Sequence, residues 1–142
     1  MRSAKFVIPG PPVGKGRPRF STRGGFVKTY TPEKTVTYEK LVQQSYKEQC
    51  GDVFFDKEIP LRLIAIAYFP IPKSTSKKMR QLMANGTIRP IKKPDVSNIL
   101  KCWEDGCNGV AYYDDAQIVE ITVSRYYAEE PRTEVIIQEV VT

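Results

Sequence analysis

Between Pro60 and Pro70 the chain reads Leu61-Arg62-Leu63-Ile64-Ala65-Ile66-Ala67-Tyr68-Phe69, and Arg62 is its only charge. The run is too short to cross a bilayer, which takes about 20 apolar residues. Its nearly continuous apolar character predicts a strand in a central position in a sheet. The rest of the chain must therefore supply neighbouring strands and a covering layer.

Lys5-Phe6-Val7-Ile8 reads as a first strand, stopped by Pro9-Gly10-Pro11-Pro12. Val13 to Lys28 is rich in glycine and reads as a loop or irregular hairpin. Thr31 is the predicted N-cap of a helix with Pro32 at its first position, carried by Val36, Tyr38, Leu41, Val42 and Tyr46 to about Gln49. Ser74 or Ser76 caps a short basic helix that ends at Asn85-Gly86. Asp95 caps a third helix with the buried stripe Ile99, Leu100, Trp103 and Cys107, ending near Asn108-Gly109. Val110 to Tyr113 is short and extended. Gln117 to Tyr127 alternates as a strand, with Val119, Ile121, Val123 and Arg125 on one side. After Glu129-Glu130-Pro131-Arg132, Thr133 to Val141 returns, and the two are expected to form an antiparallel pair. The order βαβααββ predicts an α+β fold, a mixed β-sheet with helices packed mainly on one face, as a single domain over 1–142.

The chain contains no histidine, and its three cysteines, Cys50, Cys102 and Cys107, match no zinc spacing. Imidazole bases, His-ligated zinc and Ser-His or Cys-His nucleophiles are excluded within one chain. Scattered thiols fit a reducing compartment. The N-terminus shows no cleavable apolar core, so the expected location is the cytoplasm, with no membrane partner. The net charge of +6 conceals a segregation. Residues 1–32 hold seven Lys or Arg and no acid; residues 59–94 hold eight and no acid; the remainder carries seven bases against all sixteen acids. One reading is solvated faces on a basic protein. The sharper one is two basic segments that hold a polyanion beside an acidic region that holds a cation. In the first segment Phe20, Phe26 and Tyr30 interleave with the bases, which suits either a phosphate clamp or a hairpin with inward-packed rings.

Two acidic stretches carry the chemistry. Asp95 is either a plain helix cap, worth about 1 kcal/mol, or a ligand, with Asn98 and Lys101 on the same face of the next two turns. Lys101 would then reach a phosphate bound near Asp95. Asp114-Asp115 is either a solvated turn or a pair pointing in different directions, one towards a site. Hard cations such as Mg²⁺ take oxygen ligands, commonly one or two carboxylates with waters and a substrate phosphate. Without histidine, clustered Asp with a nearby Lys and basic flanks fits metal-assisted phosphodiester cleavage best.

Lys93-Pro94-Asp95-Val96-Ser97-Asn98, then Lys101, then Asp114-Asp115-Ala116-Gln117-Ile118 resembles the signature of the RusA family of Holliday-junction resolvases, bacterial and prophage endodeoxyribonucleases. The Asn108-Gly109-Val110 helix exit and the Lys15-Gly16-Arg17-Pro18-Arg19-Phe20 stretch extend the resemblance over most of the chain. It implies a Mg²⁺-dependent homodimer, with Mn²⁺ as a substitute, that cuts four-way DNA junctions by paired nicks in recombination and repair. Asp95 matches the first metal-binding Asp, Lys101 the catalytic lysine and Asp115 the later metal-binding Asp, with Asp114 its neighbour. Asp105 matches a frequent family acid and is read here as an i,i+4 partner holding Lys101. The DNA contacts then fall to Lys15, Arg17, Arg19, Arg23, Lys28, Lys77, Lys78, Lys92, Lys93 and Asn98.

Ser97 departs from the pattern, since the family has a metal-binding Asp at this position. The neutral hydroxyl removes one negative charge from the ligand set. The alternatives are an enzyme that cuts with weaker metal binding, a catalytically impaired junction-binding protein, and an introduced inactivating change.

Overall fold

The computed structural model describes residues 2–16, 19–25 and 28–141; of residues 19–21, 23 and 28–30 it describes the backbone alone. Among the described residues six strands and three helices follow one another as β1 (Ser3–Pro9), β2 (Arg19–Ser21), β3 (Lys28–Tyr30), α1 (Glu33–Cys50), β4 (Leu61–Pro70), α2 (Lys77–Ala84), α3 (Val96–Cys107), β5 (Ile118–Ala128) and β6 (Arg132–Glu139). The fold is α+β, with a four-stranded mixed sheet in the order β1-β6-β4-β5. β2 and β3 form a separate antiparallel ribbon, with Arg19 opposite Tyr30 and Ser21 opposite Lys28.

β4 occupies an interior position, parallel to β5 and antiparallel to β6. Leu61, Leu63, Ala65 and Ala67 point into the core, while Arg62, Ile64, Ile66 and Tyr68 line the half-exposed second face. The core joins the inward residues of β1, β4 and β6 to Tyr38, Val42 and Tyr46 of α1 and to Ile99, Cys102, Trp103 and Cys107 of α3. Each large side chain buried this way contributes about 1.5–3 kcal/mol. The two helices pack closely because Gly106 has no side chain; a Cβ there would lie 2.8 Å from Val42 Cβ. The C-terminal end of α2 instead meets the second face, where Gly86 lies against Tyr126.

Two expectations are corrected. β5 and β6 run antiparallel but do not pair, because β4 lies between them. The most apolar strand gains most from having a neighbour on each edge. The connection from Ala128 to Arg132 is long enough, at about 3.3–3.6 Å per residue, to span two inter-strand spacings of about 4.8 Å. β5 is consequently an edge, and Val119 and Ile121 are exposed. The second correction is at α1: Pro32 is extended (φ −54°, ψ 141°) and occupies the cap position without a side-chain cap, so the helix starts at Glu33 rather than at Thr31-Pro32. Ser76 does cap α2 through the Met79 N–H.

Cys50, Cys102 and Cys107 are free and buried. Burial pushes the Cys102 and Cys107 thiols up to about 12, which leaves them unreactive. Among the described residues no helix is long and apolar enough to cross a membrane.

Candidate active site

The site starts at the N-cap of α3. Asp95 is extended (φ −78°, ψ 170°) and its Oδ1 accepts the Asn98 N–H at 2.9 Å. The peptide before it, Lys93–Pro94, is cis. The helix turns Ile99, Cys102, Trp103, Gly106 and Cys107 inward, which leaves Ser97, Asn98 and Lys101 on the solvent face. The cap occupies one carboxylate oxygen of Asp95, so capping and ligation do not compete for the same atom.

Lys101 connects α3 to the second acidic stretch. Its ammonium lies 3.2 Å from Asp105 Oδ1 and 3.4 Å from Asp115 Oδ2. The hydrogen bond to Asp105 is the strongest influence on Lys101 and raises its pKa; burial opposes this and the charges of Asp105 and Asp115 reinforce it. Ser97 stands one turn before Lys101 on the same face. On the other flank Glu104 is raised, first by burial and then by Asp115.

The two adjacent aspartates separate into different tasks. Asp114 caps the 3-10 turn Asp115–Gln117, its Oδ2 accepting the Ala116 N–H at 3.0 Å. Gln117 completes the turn: its Oε1 accepts the N–H groups of Tyr113 and Asp114, and its Nε2 donates to the carbonyls of Asp56 and Ile59. Asp115, held by this frame, is the member that faces Lys101.

The N-terminal segment leans on the same helix. The Lys15 N–H donates to the Asn98 carbonyl at 3.0 Å and the Gly16 N–H to Thr35 Oγ1 at 2.9 Å. A Cβ on Gly14 would stand 2.7 Å from Pro94 Cβ, so only glycine allows this approach. A cleft of about 320 Å³ results, lined on its polar side by Lys15, Lys34, Lys93 and Asn98. The Lys15 ammonium itself turns to acids, 2.7 Å from Glu39 Oε2 and 3.0 Å from Asp105 Oδ2. Burial alone would lower its pKa, but these two partners outweigh that and the net shift is upward.

The remaining candidates are more scattered. Lys92 and Lys93 are exposed on the approach to α3, and Lys77 and Lys78 are exposed on α2. Arg17 lies outside the described residues, and the side chains of Arg19, Arg23 and Lys28 are likewise not among those described. Three contributors escape a reading of the sequence. Lys34 sits in a helix that otherwise reads as scaffold, and Glu39 carries no local signal. Arg125 does carry one, as a charge on the apolar side of its strand. It grips the start of the motif, donating to the carbonyls of Lys92 at 2.8 Å and Pro94 at 3.1 Å.

The donor set suits a hard cation in its chemistry, since it is all oxygen and one oxygen each of Asp95 and Asp115 is not used in the contacts described above. It is not a cage: among the described residues no three acidic or cysteine side chains converge on one metal position. Asp95 and Asp115 are the residues that would hold such an ion, with waters and phosphate oxygens making up its shell.

Residues 9–138 match the family model described as "Endodeoxyribonuclease RusA". A Bacillus subtilis (strain 168) protein, "Uncharacterized protein YqaN", is 38% identical over 142 residues, spanning 99% of each chain. The matched region runs from the end of β1 almost to the end of β6 and so takes in every element that builds the site. The chain therefore belongs to the RusA endodeoxyribonuclease family.

Proposed function

We propose that this chain is a cytoplasmic, Mg²⁺-dependent endonuclease that resolves four-way DNA junctions by paired nicks, acting as a homodimer in recombination and repair. The observation that carries this reading is Lys101, held between Asp105 and Asp115 on the helix that Asp95 caps. An ammonium has three donors; two meet carboxylates, and with half of the side chain exposed the third is available to a phosphate oxygen. Charge grows on the phosphate oxygens as water attacks, and a pre-positioned ammonium stabilises that growth. A bound Mg²⁺, or Mn²⁺ in its place, supplies Lewis-acid polarisation and lowers the pKa of water. Asp95 and Asp115 would hold it, and Lys34, Lys93 and Asn98, which line the adjoining cleft, would grip the DNA backbone. Each cut leaves a 5′-phosphate and a 3′-hydroxyl. A two-fold substrate cut twice calls for two-fold related active sites, hence the dimer.

The test is cleavage of an end-labelled synthetic four-way junction in Mg²⁺ by the native chain and by Ser97→Asp. Symmetric nicks support the reading; if both folded proteins bind junctions and neither cuts junctions or flaps, catalysis is removed from it. A second reading, a junction-binding protein with impaired catalysis, is favoured by the neutral Ser97 beside Lys101. Calorimetry with Mn²⁺ separates the two, since the second reading requires no metal binding by the native chain and recovery in Ser97→Asp.

A further inference from the structure

Lys15 lies in the basic N-terminal segment, yet it is the least available of the lysines around the cleft. Its ammonium bridges Glu39 of α1 and Asp105 of α3, and three-quarters of its side chain is covered. Asp105 uses Oδ2 for Lys15 and Oδ1 for Lys101, so the two lysines share one carboxylate. The result is a row of alternating charge: Glu39, Lys15, Asp105, Lys101, Asp115. The backbone of Lys15 is fastened too, through its N–H to the Asn98 carbonyl, while Gly16 is fastened to Thr35. Lys15 is therefore fixed at both ends, and a fixed Lys15 restricts the rotation of Asp105.

We propose that Lys15 is a positioning residue for cleavage: through Asp105 it holds the Lys101 ammonium at the scissile phosphate and ties the glycine-rich segment to the reacting end of α3. The inference rests on the nuclease reading above and deepens it. A Lys15 ammonium turned onto two carboxylates and three-quarters covered has little left to offer a DNA phosphate directly. A displaced catalytic group is costly, because an error of about 1 Å can lower a rate by up to about 100-fold. Lys15 should consequently act on rate and not on binding.

The experiment uses the full chain with Lys15→Met, Lys15→Arg and Asp105→Asn. Single-turnover cleavage of a synthetic junction gives the rate, and titration of the same junction in Ca²⁺ over a range of salt gives affinity. NMR order parameters at Lys101 Cε give the mobility of the ammonium arm independently of cleavage. In Lys15→Met the rate falls by about tenfold or more, affinity stays within about threefold of the native value, and Lys101 becomes more mobile. Lys15→Arg restores most of the rate, and Asp105→Asn, which keeps the shape of the side chain, repeats the loss should Lys15→Met not fold. The proposal is overturned if affinity falls together with the salt slope, which marks a direct phosphate contact. It is also overturned if the rate loss follows the melting temperature and disappears on cooling. If the native chain does not cut junctions, the nuclease reading fails, and unchanged Lys101 mobility in Lys15→Met and Asp105→Asn then overturns the positioning role separately.

Discussion

Asp95 carries a cap on one oxygen, and its proposed ligand role needs the other, so substitutions can separate the two. Serine is about as good an N-cap as aspartate. Asp95→Ser should therefore keep stability within about 0.5 kcal/mol in urea melts while cleavage falls by about 100-fold or more. Asp95→Ala should lose the same activity and about 1 kcal/mol of stability as well. Asp114 and Asp115 should separate in the opposite sense. Asp114→Ala removes the acceptor for the Ala116 N–H and costs about 1 kcal/mol. Asp115→Asn keeps the melting temperature and loses more cleavage than Asp114→Ala does. That adjacent acids point in different directions follows from chain geometry alone. Which one meets Lys101 does not, because it depends on the frame Gln117 builds against Asp56 and Ile59.

Among the elements, the packing of α3 on α1 sets where the site stands. Gly106 would place a Cβ 2.8 Å from both Val42 Cβ and Val42 Cγ1. Gly106→Ala gains up to about 1 kcal/mol of helix propensity, but overpacking of this kind costs about 1–3 kcal/mol. A net loss of stability is expected in urea, and Val42→Ala in the same chain should recover part of it. The apolar stripe of α3 was legible from spacing, as were the Asp95 cap and the i,i+4 hold of Asp105 on Lys101, because these are set within a few residues. Strand order was not. Proximity in sequence favoured a β5–β6 hairpin, and the burial demand of β4 overrode it. Lys34 and Glu39 were missed for a related reason: each acts across a gap between elements, and nothing near them in sequence reveals the neighbour.

For the whole molecule, the charge map and the buried thiols set the response to solution conditions. The cleft places Lys34 and Lys93 beside Asn98. Lys34→Ala and Lys93→Ala should each weaken junction binding and lower the slope of log affinity against log salt by about 1. Alkaline stability follows from protons. Cys102 and Cys107 ordinarily ionise near 9.0 but only at about 12 in the fold. Above pH 9 the unfolded chain gains a charge that the folded one refuses, so stability falls across that interval. Lys15 and Lys101 act in the same direction. Their raised values give a stabilisation that is complete below the ordinary 10.5 and is lost as pH rises through the folded values. Between neutral pH and pH 9 the melting temperature should be level, and beyond pH 9 it should decline, with a shallower decline in Cys107→Ala. By itself the sequence determined the α+β class, the interior strand, the capped helix and the family motif, because periodicity, caps and motif spacing are properties of neighbouring residues. Only the tertiary structure decided that β4 separates β5 from β6, that Asp115 rather than Asp114 meets Lys101, and that Lys15 serves two acids. Those outcomes depend on which distant surfaces burial brings into contact, and a linear pattern does not contain that information.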